Sequence, residues 1–300
     1  MANKAITQGI LLAILATIIW SGNFIVARGV IKEIPPIALA FLRWGCAAII
    51  MLPIGWGNIR LQWPDIKANA RHLFWAGLTG VSIFNTLVYI AGHFTEAINL
   101  ALIGTTSSPI FSFILARFFL KEKITTYRLI GLLLCMAGVL VILSRGHAGN
   151  LLHFRLSAGD IWVLLAALSF AIYNILARKK PETLTPVTYL TATFWIGTLL
   201  LLPFALWELS LHPTGIQWGP SLVLIIIYLG AGASVASFFC WNAAIARLGA
   251  ARTSIFGNLI PVFSSLEAVW LLQEKILPAH YTGMLPVFSG VFLANFRKKQ

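Results

Sequence analysis

The feature that most constrains this chain is the length of its uninterrupted apolar runs. Between Lys4 and Arg28 lie 23 residues without one ionisable side chain, and comparable gaps separate His72 from His93, Glu96 from Arg117 and Glu182 from Glu208. At about 1.5 Å of rise per residue, each run is long enough as a helix to cross roughly 30 Å of hydrocarbon. A backbone in lipid must satisfy its own amides and carbonyls, which a helix does internally and an isolated strand does not. The runs therefore predict an all-α integral membrane protein of ten transmembrane helices, near residues 5–27, 36–56, 72–92, 97–119, 126–144, 160–177, 186–207, 219–243, 251–273 and 280–296. The first run exceeds the core of a signal peptide and is followed by Arg28 without a small-residue cleavage site, so it is expected to remain as a helix of the folded protein.

Composition enters where charge does. The chain is 59% hydrophobic and 10% charged, with mean hydropathy +0.86, so lipid is the solvent for most of it. A net charge of +13 would suit nucleic acid if the cations were clustered. They are instead divided by side. With the amino terminus inside, sixteen of the 22 Lys and Arg residues fall in the even loops and termini, and five fall in the odd loops (Arg28, Lys32, Arg145, Arg155 and Lys275), while Arg43 lies within a helix. The positive-inside rule then places both termini in the cytoplasm, and a bacterial inner membrane is the expected setting. The expected partners are a small-molecule substrate and membrane lipids, with no nucleic acid and no obligate protein partner. Cys46, Cys135 and Cys240 fall within predicted helices at spacings that suit neither a disulfide framework nor a metal site, so they read as packing residues, and neither metal nor cofactor is expected.

The first half of the chain returns in the second. Trp20, Ala27, Arg28, Pro36 and Pro53 correspond to Phe170, Ala177, Arg178, Pro186 and Pro203 at an offset of 150. At an offset of 152, Gly80, Pro109, Glu122, Lys123, Gly131 and Gly138 correspond to Gly232, Pro261, Glu274, Lys275, Gly283 and Gly290. Each copy, residues 1–147 and 148–300, holds five predicted helices. Five is odd, so the second copy must enter the membrane from the opposite side, giving two inverted five-helix repeats around a central cavity. Such symmetry suits alternating access, because exchanging the conformations of the halves turns an outward-open state into an inward-open one.

The segments Ala16 to Arg28 (ATIIWSGNFIVAR) and Pro36 to Trp44 (PIALAFLRW), with the two Pro-to-Glu-Lys helices and the Gly-containing helices that follow them, resemble the EamA modules of the drug/metabolite transporter superfamily. The resemblance covers nearly the whole chain. It implies two inverted modules about a central cavity and export of small metabolites, and within the superfamily the chain looks most like the YddG-type exporters of aromatic amino acids. The second module departs from the first where Thr193 replaces Arg43, Phe170 replaces Trp20, and Glu267 stands in place of Leu115.

Several residues are candidates for the site. Ser82, Asn85, Tyr89 and His93 share an arc of roughly 80° on the third helix, and Ser234, Ser237 and Trp241 repeat the stripe on the eighth with Asn242 beside it. Facing lipid would leave those groups unpaired, so they are expected to face protein or a water-filled cavity, and interhelical hydrogen bonding alone is the bland reading. Trp20, Ser21 and Asn23, with Phe170, Tyr173 and Asn174, pair aromatic faces with amides, a combination able to stack a flat solute and orient its polar end, or simply to pack a core. Thr105, Ser107 and Ser108 precede Pro109, and Ser254 and Asn258 precede Pro261, prolines that free backbone carbonyls. Gly131 and Gly138, like Gly283 and Gly290, share a face that lets backbones approach, which marks the fifth and tenth helices as scaffold. Arg43 and Glu267 are the strongly ionisable residues well inside predicted helices, both in the outer half; structural pairing is expected for Arg43 and lining of the outer cavity for Glu267. His93 is a possible proton carrier.

The expected activity is export of amino acids, aromatic or otherwise apolar, with a cavity lined by Trp20, Asn23, Tyr89, Tyr173, Trp241 and Asn258. Efflux of drugs or other metabolites is the alternative within that class, and lipid translocation or a structural role lies outside it. The sequence has no H-E-x-x-H, G-x-S-x-G, Walker A loop or intramembrane pair of aspartates, so a membrane enzyme has little support.

Overall fold

The computed structural model describes residues 2–30, 34–92, 94, 97–144, 149, 158–211, 216–272 and 278–295. The described residues form helices throughout and no strands. In chain order the long helices are α1 (Ala2–Val30), α2 (Pro36–Leu61), α3 (Ala70–Ala91), α4 (Ala97–Phe119), α5 (Thr126–Leu143), α6 (Ala158–Arg178), α7 (Pro186–Leu211), α8 (Pro220–Leu248), α9 (250–272) and α10 (Pro278–Asn295), with a short helix Trp63–Ala68 between α2 and α3. Prolines open α2, α7, α8 and α10, where the first amides have no intrahelical acceptor and losing an N–H costs little. Among the described residues, α1, α2, α3, α5, α6, α7 and α8 are long and apolar enough to cross a membrane. Many large apolar side chains on their outer surfaces are exposed, Leu11, Ile49, Leu133, Leu199 and Leu224 among them, as a lipid-facing surface requires.

Two helices are interrupted at equivalent places. A π-helical turn runs over Leu78–Ile83 in α3 and another over Tyr228–Ala236 in α8, about 150 residues apart as the repeat demands. Each turn widens the helix and turns carbonyls outward, and other helices take them up. Ser169 donates to the Thr79 carbonyl at 2.8 Å, and the Ala233 carbonyl accepts both the Trp20 indole N–H at 2.9 Å and Arg43 Nη2 at 3.0 Å. α9 is itself composite, with a 3₁₀ turn Ile255–Leu259 between Ala250–Ser254 and Ile260–Leu272.

The main packing pairs are α5 with α10, α2 with α7, α1 with α8 and α9, α6 with α3 and α4, α2 with α8, α7 with α3, and α4 with α9. Exchanging each helix for the one five places away leaves these pairs unchanged. α5 and α10 run antiparallel: a Cβ on Gly131 would lie 2.5 Å from the Gly290 carbonyl oxygen, and one on Gly283 would lie 2.7 Å from that of Gly138. Only glycine lets the two backbones come this close. Cys135 sits between the two crossings with its thiol directed at the Val287 carbonyl, 3.4 Å away, so this cysteine packs the seam.

α2 and α7 are antiparallel too, and each caps the other's amino end. Glu208, near the end of α7, accepts the Ala38 N–H at 2.8 Å, while Gln62, just past α2, accepts the Thr185 N–H at 3.1 Å beside the start of α7. A carboxylate among the unpaired amides of a helix start is favoured by both hydrogen bonding and the helix dipole. The turn between α8 and α9 is held similarly. Gly249 has φ of +92°, and Glu122, in the loop after α4, accepts the Ala250 N–H at 3.0 Å.

Candidate functional site

Where the halves meet, residues of α1, α2, α3, α4, α6, α8 and α9 line a cavity that is partly open to solvent. α3 offers Phe84, Asn85, Val88 and Tyr89, one face of a regular helix beyond its π turn. α4 adds Gly104, Thr105, Ser108 and Pro109, and α9 adds Ser254, Gly257 and Ile260. The aromatic wall comes from Trp20 on α1, Phe170 on α6, and Phe238 and Trp241 on α8. Their rings pack edge-on and tilted: Trp20 lies 5.8 Å from both Phe170 and Phe238 and 4.9 Å from Trp241, while Phe84 stacks on Phe170 at 4.6 Å. Offset and edge contacts of this kind fix ring orientation as well as burying area.

Arg43 is the charged group lining this cavity among the described residues. It is 2% exposed, and its described acceptors are all neutral: Ser234 Oγ at 2.8 Å from Nε, Asn85 Oδ1 at 3.0 Å and Tyr89 OH at 3.1 Å from Nη1, and the Ala233 carbonyl at 3.0 Å from Nη2. The guanidinium is thus fixed in place by oxygen dipoles from α3 and α8 without a carboxylate among the described residues. Glu267, the other expected intramembrane charge, is not in the cavity wall; its Oε1 accepts from the Ser21 hydroxyl at 2.7 Å, tying α9 to α1.

Of the residues singled out from the sequence, Trp20, Asn85, Tyr89, Thr105, Ser108 and Trp241 line the cavity together. Others stand behind the wall. Asn174 accepts the Trp241 indole N–H at 2.9 Å and lies 3.2 Å from Ser112 Oγ, so it orients the ring that a solute would meet. Tyr173, fully buried, accepts from Asn242 at 2.6 Å. Ser82 donates to the Gly197 carbonyl on α7 at 2.9 Å, Ser237 donates to Gly232 within α8, and Asn258 donates to Ile255 within α9. Ser82, Tyr173, Asn174, Ser237, Asn242, Asn258 and Glu267 therefore do not share the cavity surface with the six. The Asn23 side chain and His93 lie outside the described residues. Arg43, marked in the sequence as an intramembrane charge expected to pair structurally, also lines the cavity, as does Phe84, which carried no signal in the sequence beyond its apolar character.

The EamA-like transporter family model matches the chain twice, at residues 7–144 and 157–296. The uncharacterized transporter YyaM of Bacillus subtilis (strain 168) is 29% identical over 284 residues, covering 93% of this chain and 90% of that protein. An uncharacterized transporter of Archaeoglobus fulgidus is 27% identical over 292 residues, covering 97% and 98%. The "Probable amino-acid metabolite efflux pump" of Escherichia coli (strain K12) is 24% identical over 291 residues, covering 95% and 94%. A crystal structure 19% identical in sequence superposes with a TM-score of 0.77 over 96% of both chains, a likeness of fold.

Proposed function

Because the chain belongs to the EamA-like transporter family, we infer that it exports small metabolites, aromatic or other apolar amino acids and their like, by alternating access across a bacterial inner membrane. The observation that carries this reading is a cavity walled by Trp20, Phe170 and Trp241 and furnished with a few fixed polar groups, built where the two matched segments meet. A flat apolar side chain stacks on the rings, and the amide, hydroxyl and guanidinium groups orient its polar end. Two modules, residues 1–147 and 148–300, each with five spans, enter the membrane in opposite senses, with both termini cytoplasmic. The antiparallel packing of α5 on α10 and of α2 on α7, equivalent helices of the two modules, supports this inversion. The efflux-pump relative favours amino acids as the first solutes to try, and the YddG-type likeness favours aromatic ones.

The test is flux into or out of proteoliposomes carrying labelled phenylalanine, tryptophan and leucine. Protein-dependent movement of the aromatic solutes, competed by unlabelled ones, is expected. A folded protein that moves no amino acid would end the reading. Competition by chemically unlike drugs with equal strength would shift it to general efflux, which the apolar lining also suits.

A further inference from the structure

The cavity wall is unbalanced in charge and in hydrogen-bond donors. Arg43 carries a guanidinium whose five N–H groups have four described acceptors, all neutral oxygens, which leaves one Nη2 hydrogen uncommitted. Asn85 Oδ1 accepts from that guanidinium, which fixes the amide's orientation, since a flipped amide would set donor against donor. Its Nδ2 is then a donor with no described acceptor, on a residue only 4% exposed that lines the cavity. Asn85 and Arg43, joined through Oδ1 and Nη1, therefore carry two uncommitted donors and one positive charge in the cavity wall. No acidic side chain appears among the described lining residues, and Glu267, outside the lining, accepts from Ser21.

We propose that Arg43 and Asn85 form a carboxylate seat, and that the cavity prefers net-anionic aromatic or apolar carboxylic acids to zwitterionic amino acids of the same shape. The proposal rests on the transporter reading above and narrows its substrate class. A carboxylate brings two acceptor oxygens to two donors and neutralises the buried cation, whose isolation in a low-dielectric site is unfavourable. An ammonium brings three donors and no acceptor into the field of Arg43, where the described lining offers it hydroxyls and no counter-charge. With the carboxylate seated, the body of the solute lies towards Trp20, Phe170 and Trp241.

Three solutes with one aromatic body test this in proteoliposomes at pH 6: N-acetylphenylalanine (anion), phenylalanine (zwitterion) and phenylalaninamide (cation). Wild-type protein is expected to bind and move them in that order, each step worth about tenfold, the scale of one charge-assisted hydrogen bond. Arg43→Gln should abolish the order, while Arg43→Lys, which keeps the charge, should preserve it at lower affinity. An amide that competes as well as the anion in wild-type protein overturns the proposal, as does Arg43→Gln weakening all three alike, the mark of a merely structural arginine. If Arg43→Gln does not fold, Asn85→Leu and the wild-type ranking decide: an unchanged anion preference in Asn85→Leu removes Asn85 from the seat, and an absent one in wild type removes the seat altogether. Movement of all three solutes at equal rates defeats this inference and leaves the transporter reading standing, whereas movement of none defeats that reading too.

Discussion

Trp20 offers a perturbation whose size can be worked out from its surroundings. The side chain is 8% exposed, packs against Phe170, Phe238 and Trp241, and donates its indole N–H to Ala233. Trp20→Phe keeps a ring in the wall and loses the hydrogen bond. The Ala233 carbonyl is not orphaned by the change, because Arg43 still bonds to it at 3.0 Å, so the cost is the net value of one bond, about 0.5 to 1.5 kcal/mol. The second half already carries Phe170 at the equivalent position, which shows that phenylalanine fits such a site. Trp20→Ala removes three ring contacts and opens a void, which costs about 3 to 5 kcal/mol of stability. It also deletes one stacking surface for solute, worth about 1 kcal/mol or roughly fivefold in affinity. Thermal unfolding of purified protein in detergent reads the first quantity, and competition of labelled solute uptake reads the second. A Trp20→Phe protein as impaired in uptake as Trp20→Ala would refute the reasoning, because the N–H and not the ring would then be what matters.

Other perturbations separate scaffold from cavity. Gly131→Leu must push α5 away from the Gly290 carbonyl, so unfolding should begin at lower temperature, by about 1 to 3 kcal/mol of lost stability, while the KM of the surviving protein stays the same. A changed KM with unchanged stability would place α5 at the solute path instead. Glu122→Ala leaves the Ala250 N–H at the start of α9 without its carboxylate and should raise reactivity of a cysteine placed at Arg247 towards a thiol reagent added on the inner side, with Glu122→Gln intermediate. Equal reactivity in all three proteins would show that this contact does not hold the turn between α8 and α9.

What the sequence made legible was what depends on composition over whole helices. The uncharged runs located the helices because lipid tolerates little else, and proline marked several starts. The glycines at 131, 138, 283 and 290 carried spacing alone, yet that spacing put them on single faces, and the faces proved to be those that meet. The candidate site was read less well, and the π turns give a physical reason. Angular position at 100° per residue holds only along a regular helix, and an inserted residue rotates everything on one side of it relative to the other. Ser82 lies inside the turn at Leu78–Ile83, so it faces α7, while Asn85 and Tyr89, beyond the turn, keep their mutual register and face the cavity. Ser234 and Ser237 bracket the end of the second turn and diverge likewise, one towards Arg43 and the other back to Gly232. The partners of Arg43 come from α3 and α8, remote in sequence, so no local pattern announced that neutral oxygens and not Glu267 would surround it.

The central claim is that one cavity between two oppositely oriented modules faces each aqueous phase in turn. Ser108 lines that cavity, and Ser108→Cys in a chain whose Cys46, Cys135 and Cys240 are replaced by alanine gives it a single reporter. Reaction with a membrane-impermeant maleimide is measured from outside in intact cells and from inside in inverted vesicles. The account predicts labelling from both sides, slowed from both by a transported solute. Labelling from one side only, with the other side unreactive under every solute condition, would contradict it.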